Sequence, residues 1–287
     1  MGQISVELDK RLNSAVESMP AFPKSVQRIL ELTRDINCRP KDLVAVIEKD
    51  PVITIKVLKI VNSAYYGLPN KITSINQSAV FLGVNTLKNL ALSFSTTGML
   101  PKKNDAGFDI QHYLISSLVT ANLVRSLGAQ FAPGEIDPTD CYIAGLLHDF
   151  GKVVFAQCMS AEFNQALALS ASDNLPLHKA EEAIIGADHT LVGAMLAKRW
   201  QFPDSLVDCI AGHHGPKYPT PLAECLLVGD LIAEGLGYDS KGNVSAGADE
   251  QTVPKRFGGD LDAVVAALGD LSKMIEEAKI FSQGEGS

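Results

Sequence analysis

Histidine and aspartate side chains recur in apolar surroundings along this chain, and both residue types can bind metals or transfer protons. His148 and Asp149 lie within the apolar segment 143–155. The same kind of side chain recurs further along, at His189, His213, His214 and Asp230. Because a buried carboxylate or imidazole needs a polar partner, we expect these residues to be used together.

Helical spacing indicates that these side chains point into the protein. Asp230 follows Leu226 by four residues and Leu227 by three, so it shares their apolar face. His189 precedes Val192 by three residues and Leu196 by seven, again on the inward face. Separate helices therefore each direct a histidine or an aspartate into the core.

Imidazole nitrogens and carboxylate oxygens are the usual protein donors to Fe, Mn, Zn and Ni, and helical bundles often hold such sites. Each of these residues, taken alone, could instead have a purely structural role. A core histidine often only forms hydrogen bonds, and a buried aspartate often only caps a helix or pairs with a cation. We accordingly expect either no cofactor or one divalent transition metal. The candidate ligands are His148, Asp149, His189, His213, His214 and Asp230.

Lys152 lies three residues after Asp149 and four after His148, on the same helical face. We expect its ammonium group to neutralise a buried Asp149; in an active enzyme it would be the catalytic candidate. His178 has no spacing that connects it to the other histidines, and we expect it to be exposed.

The elements that must position these residues are helices, because apolar residues recur at helical spacing and no segment alternates with period two. The sequence predicts an all-α fold. Its main predicted helices cover 4–17, 74–82, 85–94, 110–129, 139–157, 161–173, 177–200, 204–213, 221–236 and 261–281.

A polar stretch at 101–107 is the best boundary in the sequence. We expect an N-terminal helical part at 1–104 and a helical bundle at 105–238. A loop rich in Gly, Ser and Asp at 239–260 is predicted to be mobile, and 261–287 is predicted to form a C-terminal helix and tail.

Composition excludes several classes of protein. The 287 residues are 46% hydrophobic with a net charge of −8, which disfavours a surface built to bind nucleic acid. No apolar stretch is long enough for a membrane span and the N-terminus has no signal-like core, so we expect a cytoplasmic protein without membrane contact. Five scattered cysteines indicate buried free thiols.

The order His-Asp, His, His-His and Asp on successive helices resembles the HD superfamily of metal-dependent phosphohydrolases, which includes the HD-GYP group. More of the chain, over roughly residues 16–235, is similar to the HDOD family, the output-domain relatives of that superfamily. The segments that carry this resemblance are 19–23, 47–51, 62–64, 72–75, 79–83, 87–90, 145–152, 189–193, 200–203 and 210–216. The resemblance implies an N-terminal helical layer packed on an HD-like helical bundle.

The chain departs from an active HD enzyme at one metal ligand. Ser116 stands where such enzymes have their first histidine, and His112 lies one turn earlier. A serine hydroxyl is a poor ligand for these metals, so one half of a two-metal site is expected to be impaired. The glycine- and tyrosine-containing signature of HD-GYP enzymes is also absent after His214.

Three hypotheses follow. The HDOD resemblance implies a bacterial signal-transduction module that acts through contacts with signalling proteins and has a degenerate site. The alternative is a metal-dependent phosphohydrolase that acts on a nucleotide or another phosphoester. A nucleic-acid regulator is a third class, disfavoured by the net charge. The sequence leaves the partner unidentified and a homodimer open.

Overall fold

The computed structural model describes residues 5–34, 39–101, 103–215, 220–239 and 252–282, with the side chains of 33 and 34 excepted. Over these residues the chain is helical and contains no strand, which confirms the all-α prediction. None of the described helices combines the length and apolar character needed to cross a membrane. The helices are α1 Val6–Ser18, α2 Lys24–Arg34, α3 Pro40–Glu48, α4 Pro51–Val61, α5 Ile75–Leu82, α6 Val84–Thr97, α7 Ile110–Phe131, α8 Pro138–Leu147, α9 Phe150–Cys158, α10 Ser160–Asp173, α11 Leu177–Ile184, α12 His189–Arg199, α13 Asp204–Ala211, α14 Pro221–Gly235, α15 Leu261–Leu268 and α16 Ser272–Ser282.

The chain forms two compact units. The first contains Met1–Pro20 and Leu100–Met274, and the second contains Ala21–Met99 and Ile275–Ser287. This division differs from the one drawn from composition, which keeps 1–104 together. Helix α1 packs on α9 and α12, so its residues belong with the bundle.

The second unit consists mainly of α2–α6, and its helix starts follow simple local rules. Asp50 caps α4 by accepting hydrogen bonds from the backbone N–H groups of Val52 and Ile53, both at 3.1 Å. Pro51 occupies the first turn, where its missing N–H costs nothing. Ile53, Val57 and their neighbours on the same stripe are buried, as their spacing predicts.

In the first unit, α7 packs against α8 and α14, while α12 packs against α9 and α13. Glycines allow these close approaches. A Cβ on Gly145 would lie 2.5 Å from Ala121 Cα, and one on Gly229 would lie 2.7 Å from a Val124 methyl group. The glycines therefore let α8 and α14, which carry His148 at the end of α8 and Asp230 on α14, approach α7 closely.

Several predicted helices are each two helices in the structure. The predicted helix 139–157 breaks between α8 and α9, where Asp149 adopts φ −95° and ψ 7°. The predicted helix 177–200 breaks at Gly186, with φ +87°, and the predicted C-terminal helix 261–281 breaks at Gly269, with φ +76°. Because both sides of each break have apolar residues to bury, the hydrophobic pattern continues across it.

Two further expectations need adjustment. Cys158 is exposed, whereas Cys141, Cys209 and Cys225 are buried free thiols as predicted; Cys38 lies outside the described residues. Most of the predicted loop 239–260 also lies outside them, and its described end forms a short 3-10 turn, Lys255–Phe257.

Candidate metal centre

The carboxylate of Asp149 lies at the centre of the predicted cluster and is almost completely buried. Its Oδ1 is 3.1 Å from His189 Nε2 and 3.4 Å from His213 Nε2. Its Oδ2 is 2.6 Å from Lys152 Nζ and 3.3 Å from His148 Nε2. The two oxygens of one carboxylate therefore face two different groups of side chains.

On the Oδ1 side the structure brings together four of the six predicted ligands. His214 Nε2 lies 2.9 Å from His189 Nε2. The ligand atoms of Asp149, His189, His213 and His214 all lie within 4.8 Å of one another. We call these four residues the Oδ1 group.

On the Oδ2 side, His148 Nε2 lies between two carboxylates, 3.3 Å from Asp149 Oδ2 and 3.3 Å from Asp230 Oδ1. Lys152 donates to the same Asp149 oxygen at 2.6 Å. The expected Lys152–Asp149 pair is therefore present and buried on both sides. We call Asp149, His148 and Asp230 the Oδ2 group.

Backbone carbonyls hold the rings of two histidines through Nδ1. His148 Nδ1 donates to Gly145 O and His213 Nδ1 donates to Ile210 O, both at 2.8 Å. A carbonyl oxygen can only accept, so each Nδ1 carries a proton. The opposite Nε2 atoms are buried, and no described residue forms a hydrogen bond of normal geometry with them. Buried nitrogens of this kind, with the ring held from the other side, are suited to metal ligation.

A carboxylate that the sequence analysis missed holds the third imidazole. Glu181 Oε2 accepts from His189 Nδ1 at 2.6 Å and from the His189 backbone N–H at 2.8 Å. Glu181 is fully buried. The signal was present, since Glu181 follows Leu177 by four residues and therefore shares its buried face.

The prediction that His178 is exposed was wrong. Its side chain is buried, and its ring stacks on His214 with centroids 4.2 Å apart and planes 17° from parallel. His178 lies one turn before Glu181 on α11. Short-range spacing could not reveal this contact, because it depends on where the segment after α13 folds.

The surroundings raise the pKa of two histidines in the cluster and lower that of others. Burial disfavours a charged ring at His148, but Asp149 and Asp230 outweigh it and raise the pKa of His148 to about 10. Burial acts in the same way at His189, where Glu181 and Asp149 raise the pKa to about 9. Burial and neighbouring cations instead lower the pKa of His178 to about 3 and that of His214 well below its usual value.

Asp149 and its lysine are both charged. Burial alone would raise the pKa of Asp149, but His148 and Lys152 hold it well below its usual range. The pKa of Lys152 is raised, since the attraction of Asp149 exceeds the effect of burial. The centre therefore contains a fully ionised carboxylate surrounded by nitrogen groups.

The Oδ1 group fits a divalent transition metal. Metal–nitrogen and metal–oxygen bonds near 2.0–2.2 Å place neighbouring tetrahedral donors about 3.3 Å apart. Three of the six separations between its donor atoms, 2.9, 3.1 and 3.4 Å, are close to that value, and all six are within 4.8 Å. Three imidazoles and one carboxylate are donors typical of Zn, Fe, Ni or Mn.

The Oδ2 group lacks the ligand that α7 would provide. Ser116 is buried, and its hydroxyl donates to the backbone oxygen of Tyr238 at 2.7 Å. His112, one turn earlier, faces a different carboxylate, with its Nε2 3.9 Å from Asp239 Oδ1. The residue at the expected ligand position therefore anchors the chain that follows α14.

An all-helical bundle with histidines and aspartates converging from successive helices defines an HD-like protein. The chain belongs to the HDOD family, whose domain model matches residues 19–216. A solved HDOD domain protein of unknown function from Geobacter sulfurreducens is similar to it over 96% of this chain and 98% of the other, with 23% identity and a TM-score of 0.76.

Two further proteins are similar to this chain. A protein from Marinobacter aquaeolei, named for an assumed role in signal transduction, has 24% identity and a TM-score of 0.78 over 96% of this chain and 66% of its own. An uncharacterised protein of Treponema pallidum is 26% identical over 74% of this chain. The chain spans 41% of the length of that relative and 24% of the length of a matched ribonuclease Y from Mycoplasmoides gallisepticum.

Proposed function

We propose that the protein is a regulatory module that acts through contacts with other proteins, and that its HD-derived site binds one metal ion without catalysing hydrolysis. The observation that carries this proposal is the use of Ser116. Its hydroxyl is engaged by Tyr238 O at 2.7 Å, at the position where an HD enzyme needs a ligand for its second metal.

The position of Lys152 supports the same conclusion. Its ammonium group lies 2.6 Å from Asp149 Oδ2, the oxygen that faces the Oδ2 group. A positive charge in this place competes with a cation for the same oxygen. The groups that face Oδ1 are imidazoles, which can give up a proton and ligate a metal through the freed nitrogen, so we assign the single metal to the Oδ1 group.

The protein-contact part of the proposal is supported by exposed apolar side chains on the second unit. Val52 and Ile55, three residues apart on α4, are 62% and 65% exposed. Val80 and Phe81 at the end of α5 are 89% and 46% exposed. Neighbouring large apolar side chains in water, as in each of these two pairs, are a feature of interaction surfaces. The Marinobacter neighbour, named for an assumed role in signal transduction, is consistent with such a role.

The second candidate is a metal-dependent phosphohydrolase, favoured by the fit of the Oδ1 group to a metal. A metal bound there would lower the pKa of a bound water and supply a nucleophile. Asp149 and the three imidazoles would hold the metal, and Lys152 would stabilise negative charge near it. A solved structure from Shewanella amazonensis that is named for an assumed metal-dependent phosphohydrolase activity shares the fold, with a TM-score of 0.59.

Hydrolysis assays decide between the two candidates. Purified protein is supplied with Zn²⁺, Fe²⁺, Mn²⁺ or Ni²⁺ and tested on bis(p-nitrophenyl) phosphate, nucleoside phosphates and cyclic dinucleotides. Asp149→Asn is the matched control, because it keeps the size of the side chain and removes the charge. The proposal expects equal background rates in both proteins. A rate in the wild type at least tenfold above that of the variant would overturn it.

The proposed action through protein contacts is tested separately, in a strain from which the gene has been deleted. Transcript profiles are compared after complementation with the wild type, Asp149→Asn, or the double variant Val52→Glu/Ile55→Glu. The proposal expects Asp149→Asn to restore the wild-type profile at a lower melting temperature, because Lys152 loses its buried partner, and the surface variant to fail while folding normally. Restoration by the surface variant would contradict the assignment of this face.

A further inference from the structure

Helix α11 contributes no predicted metal ligand, yet it contacts two of the imidazoles in the Oδ1 group. Glu181 holds His189 through two hydrogen bonds to one carboxylate oxygen, at 2.6 and 2.8 Å. His178, one turn earlier on the same helix, stacks on His214 at 4.2 Å. We propose that α11 is the positioning element of the centre: Glu181 fixes the tautomer and direction of His189, and His178 fixes the ring plane of His214.

The geometry at Glu181 has one chemical consequence. A carboxylate can only accept, so the 2.6 Å contact requires a proton on Nδ1 of His189. Nε2 is therefore the nitrogen that can lose its proton to bind a metal, and it points towards Asp149 Oδ1, 3.1 Å away, and towards His214 Nε2, 2.9 Å away. A carboxylate behind an imidazole also makes the opposite nitrogen a better donor to a metal.

Burial shows that this arrangement is built and not incidental. Glu181 and His189 are both 0% exposed, which for a carboxylate is costly unless it is paired. The backbone supports the pair, because α11 ends shortly after Glu181 and Gly186, with φ +87°, turns the chain back. Asp188 then caps α12 by accepting from Leu191 N–H, so His189 begins the helix with its N–H directed at Glu181.

The stacked pair restricts His214 in a different way. His214 follows the end of α13 in a turn, where a side chain has more freedom than inside a helix. The two rings of His178 and His214 lie 17° from parallel, so the ring of His178 forms a flat wall against one face of His214. Rotation of His214 away from His189 would break this contact.

Metal affinity is the first readout, and this inference rests on the metal-binding part of the proposed function. Binding of Zn²⁺ to metal-free protein is measured by competition with a chromophoric chelator for the wild type, Glu181→Gln and Glu182→Gln. Glutamine keeps an oxygen acceptor for His189 but removes the charge. We expect Glu181→Gln to weaken affinity about 10- to 100-fold, as is typical when an outer-shell partner is lost.

Glu182→Gln is the matched control, because Glu182 is the neighbouring residue and its side chain is 49% exposed in a pair with Lys179. Its affinity should equal that of the wild type. For the stacked pair, His178→Phe keeps a flat ring and should keep near wild-type affinity, whereas His178→Ala should weaken it several-fold. Wild-type affinity in both Glu181→Gln and His178→Ala would overturn the inference.

The second readout needs no metal. Long-range ¹H–¹⁵N NMR spectra of the metal-free protein report which ring nitrogens of each histidine carry a proton. We expect a hydrogen-bonded proton that exchanges slowly with water on His189 Nδ1 in the wild type, and loss of this protection in a Glu181→Ala variant. Failure of the wild type to bind Zn²⁺ would refute the metal site. The spectrum would still test whether Glu181 holds His189 through its Nδ1. Normal Zn²⁺ binding with an unchanged His189 spectrum in Glu181→Ala would refute the role of Glu181 alone.

Discussion

Replacement of Lys152 by methionine tests the electrostatics at the centre of the bundle. The Lys152 Nζ and Asp149 Oδ2 atoms are 2.6 Å apart, and the two side chains are 4% and 2% exposed. The variant keeps most of the side-chain volume and leaves the Asp149 carboxylate buried without its lysine.

The expected loss of stability follows from two opposing contributions. The attraction across 2.6 Å is about 6 kcal/mol at an effective dielectric constant of about 20. Burying an ammonium group has a desolvation cost that methionine avoids, and His148 remains 3.3 Å from the same carboxylate. We therefore expect a net destabilisation of about 3 kcal/mol, at the lower end for a broken buried pair. The melting temperature of a unit of this size should fall by about 6–12 °C.

Thermal and chemical denaturation of metal-free protein measure this loss directly. The matched control is Lys179→Met, because the Lys179–Glu182 pair is nearly half exposed on both sides and should change the melting temperature by about 1 °C or less. Adding Asp149→Asn to Lys152→Met should recover part of the loss, because it removes the stranded charge. A melting temperature of Lys152→Met within about 1 °C of the wild type would refute the reasoning.

Three further predictions concern neighbouring features. The pKa of His178 is lowered to about 3 in the folded protein, whereas it is near 6.5 in the unfolded chain. Its contribution to stability is therefore present above pH 6.5 and is lost as the pH falls towards 3. Replacement of this residue in His178→Phe should reduce the slope of the unfolding free energy against pH on the acid side by up to about 1.4 kcal/mol per pH unit. Ser116→His should lower stability by about 1–3 kcal/mol, because the buried position is already filled and bonded to Tyr238, and elemental analysis should find no second metal. Gly151→Ala should destabilise by about 3 kcal/mol, because its Cβ would lie 1.9 Å from the backbone oxygen of His189.

Each of these has a control and a contradicting result. An unchanged acid slope in His178→Phe would show that this histidine does not resist protonation in the folded state. Ser116→Ala separates the lost hydrogen bond from overpacking and should cost about 1 kcal/mol; two metals per chain in Ser116→His would contradict the account of that position. Gly98→Ala meets its nearest atoms at an ordinary 3.5 Å, so a loss equal to that of Gly151→Ala would discount the close contact with α12.

The inward direction of the candidate ligands could be predicted because their helices are regular and strongly apolar. Spacing alone places Asp230 with Leu226 and Leu227, and the structure finds its carboxylate 3.3 Å from His148. The Lys152–Asp149 pair could be predicted for the same reason, since both residues lie within one helical turn. Short-range periodicity was sufficient wherever the partner is three or four residues away.

The remaining features depend on contacts between distant segments. Glu181 reaches His189 only because the chain turns back at Gly186, and His178 reaches His214 only through the position of the turn after α13. The break at Asp149 is also hidden, because the residues on both sides are buried and the pattern of apolar residues does not lapse. Periodicity reports which face is buried, and it does not report what lies opposite.

Metal stoichiometry tests the central claim most directly. Untagged protein is freed of metal, reconstituted with excess Zn²⁺, passed through a desalting column and measured by elemental analysis beside His189→Gln. Because the Oδ1 group is the one set of four converging donors among the described residues, we predict about one ion per chain in the wild type and none retained in the variant. Two ions per chain would show a complete two-metal site, and no ion in the wild type would show that the cluster is not a metal centre; either result would contradict the account.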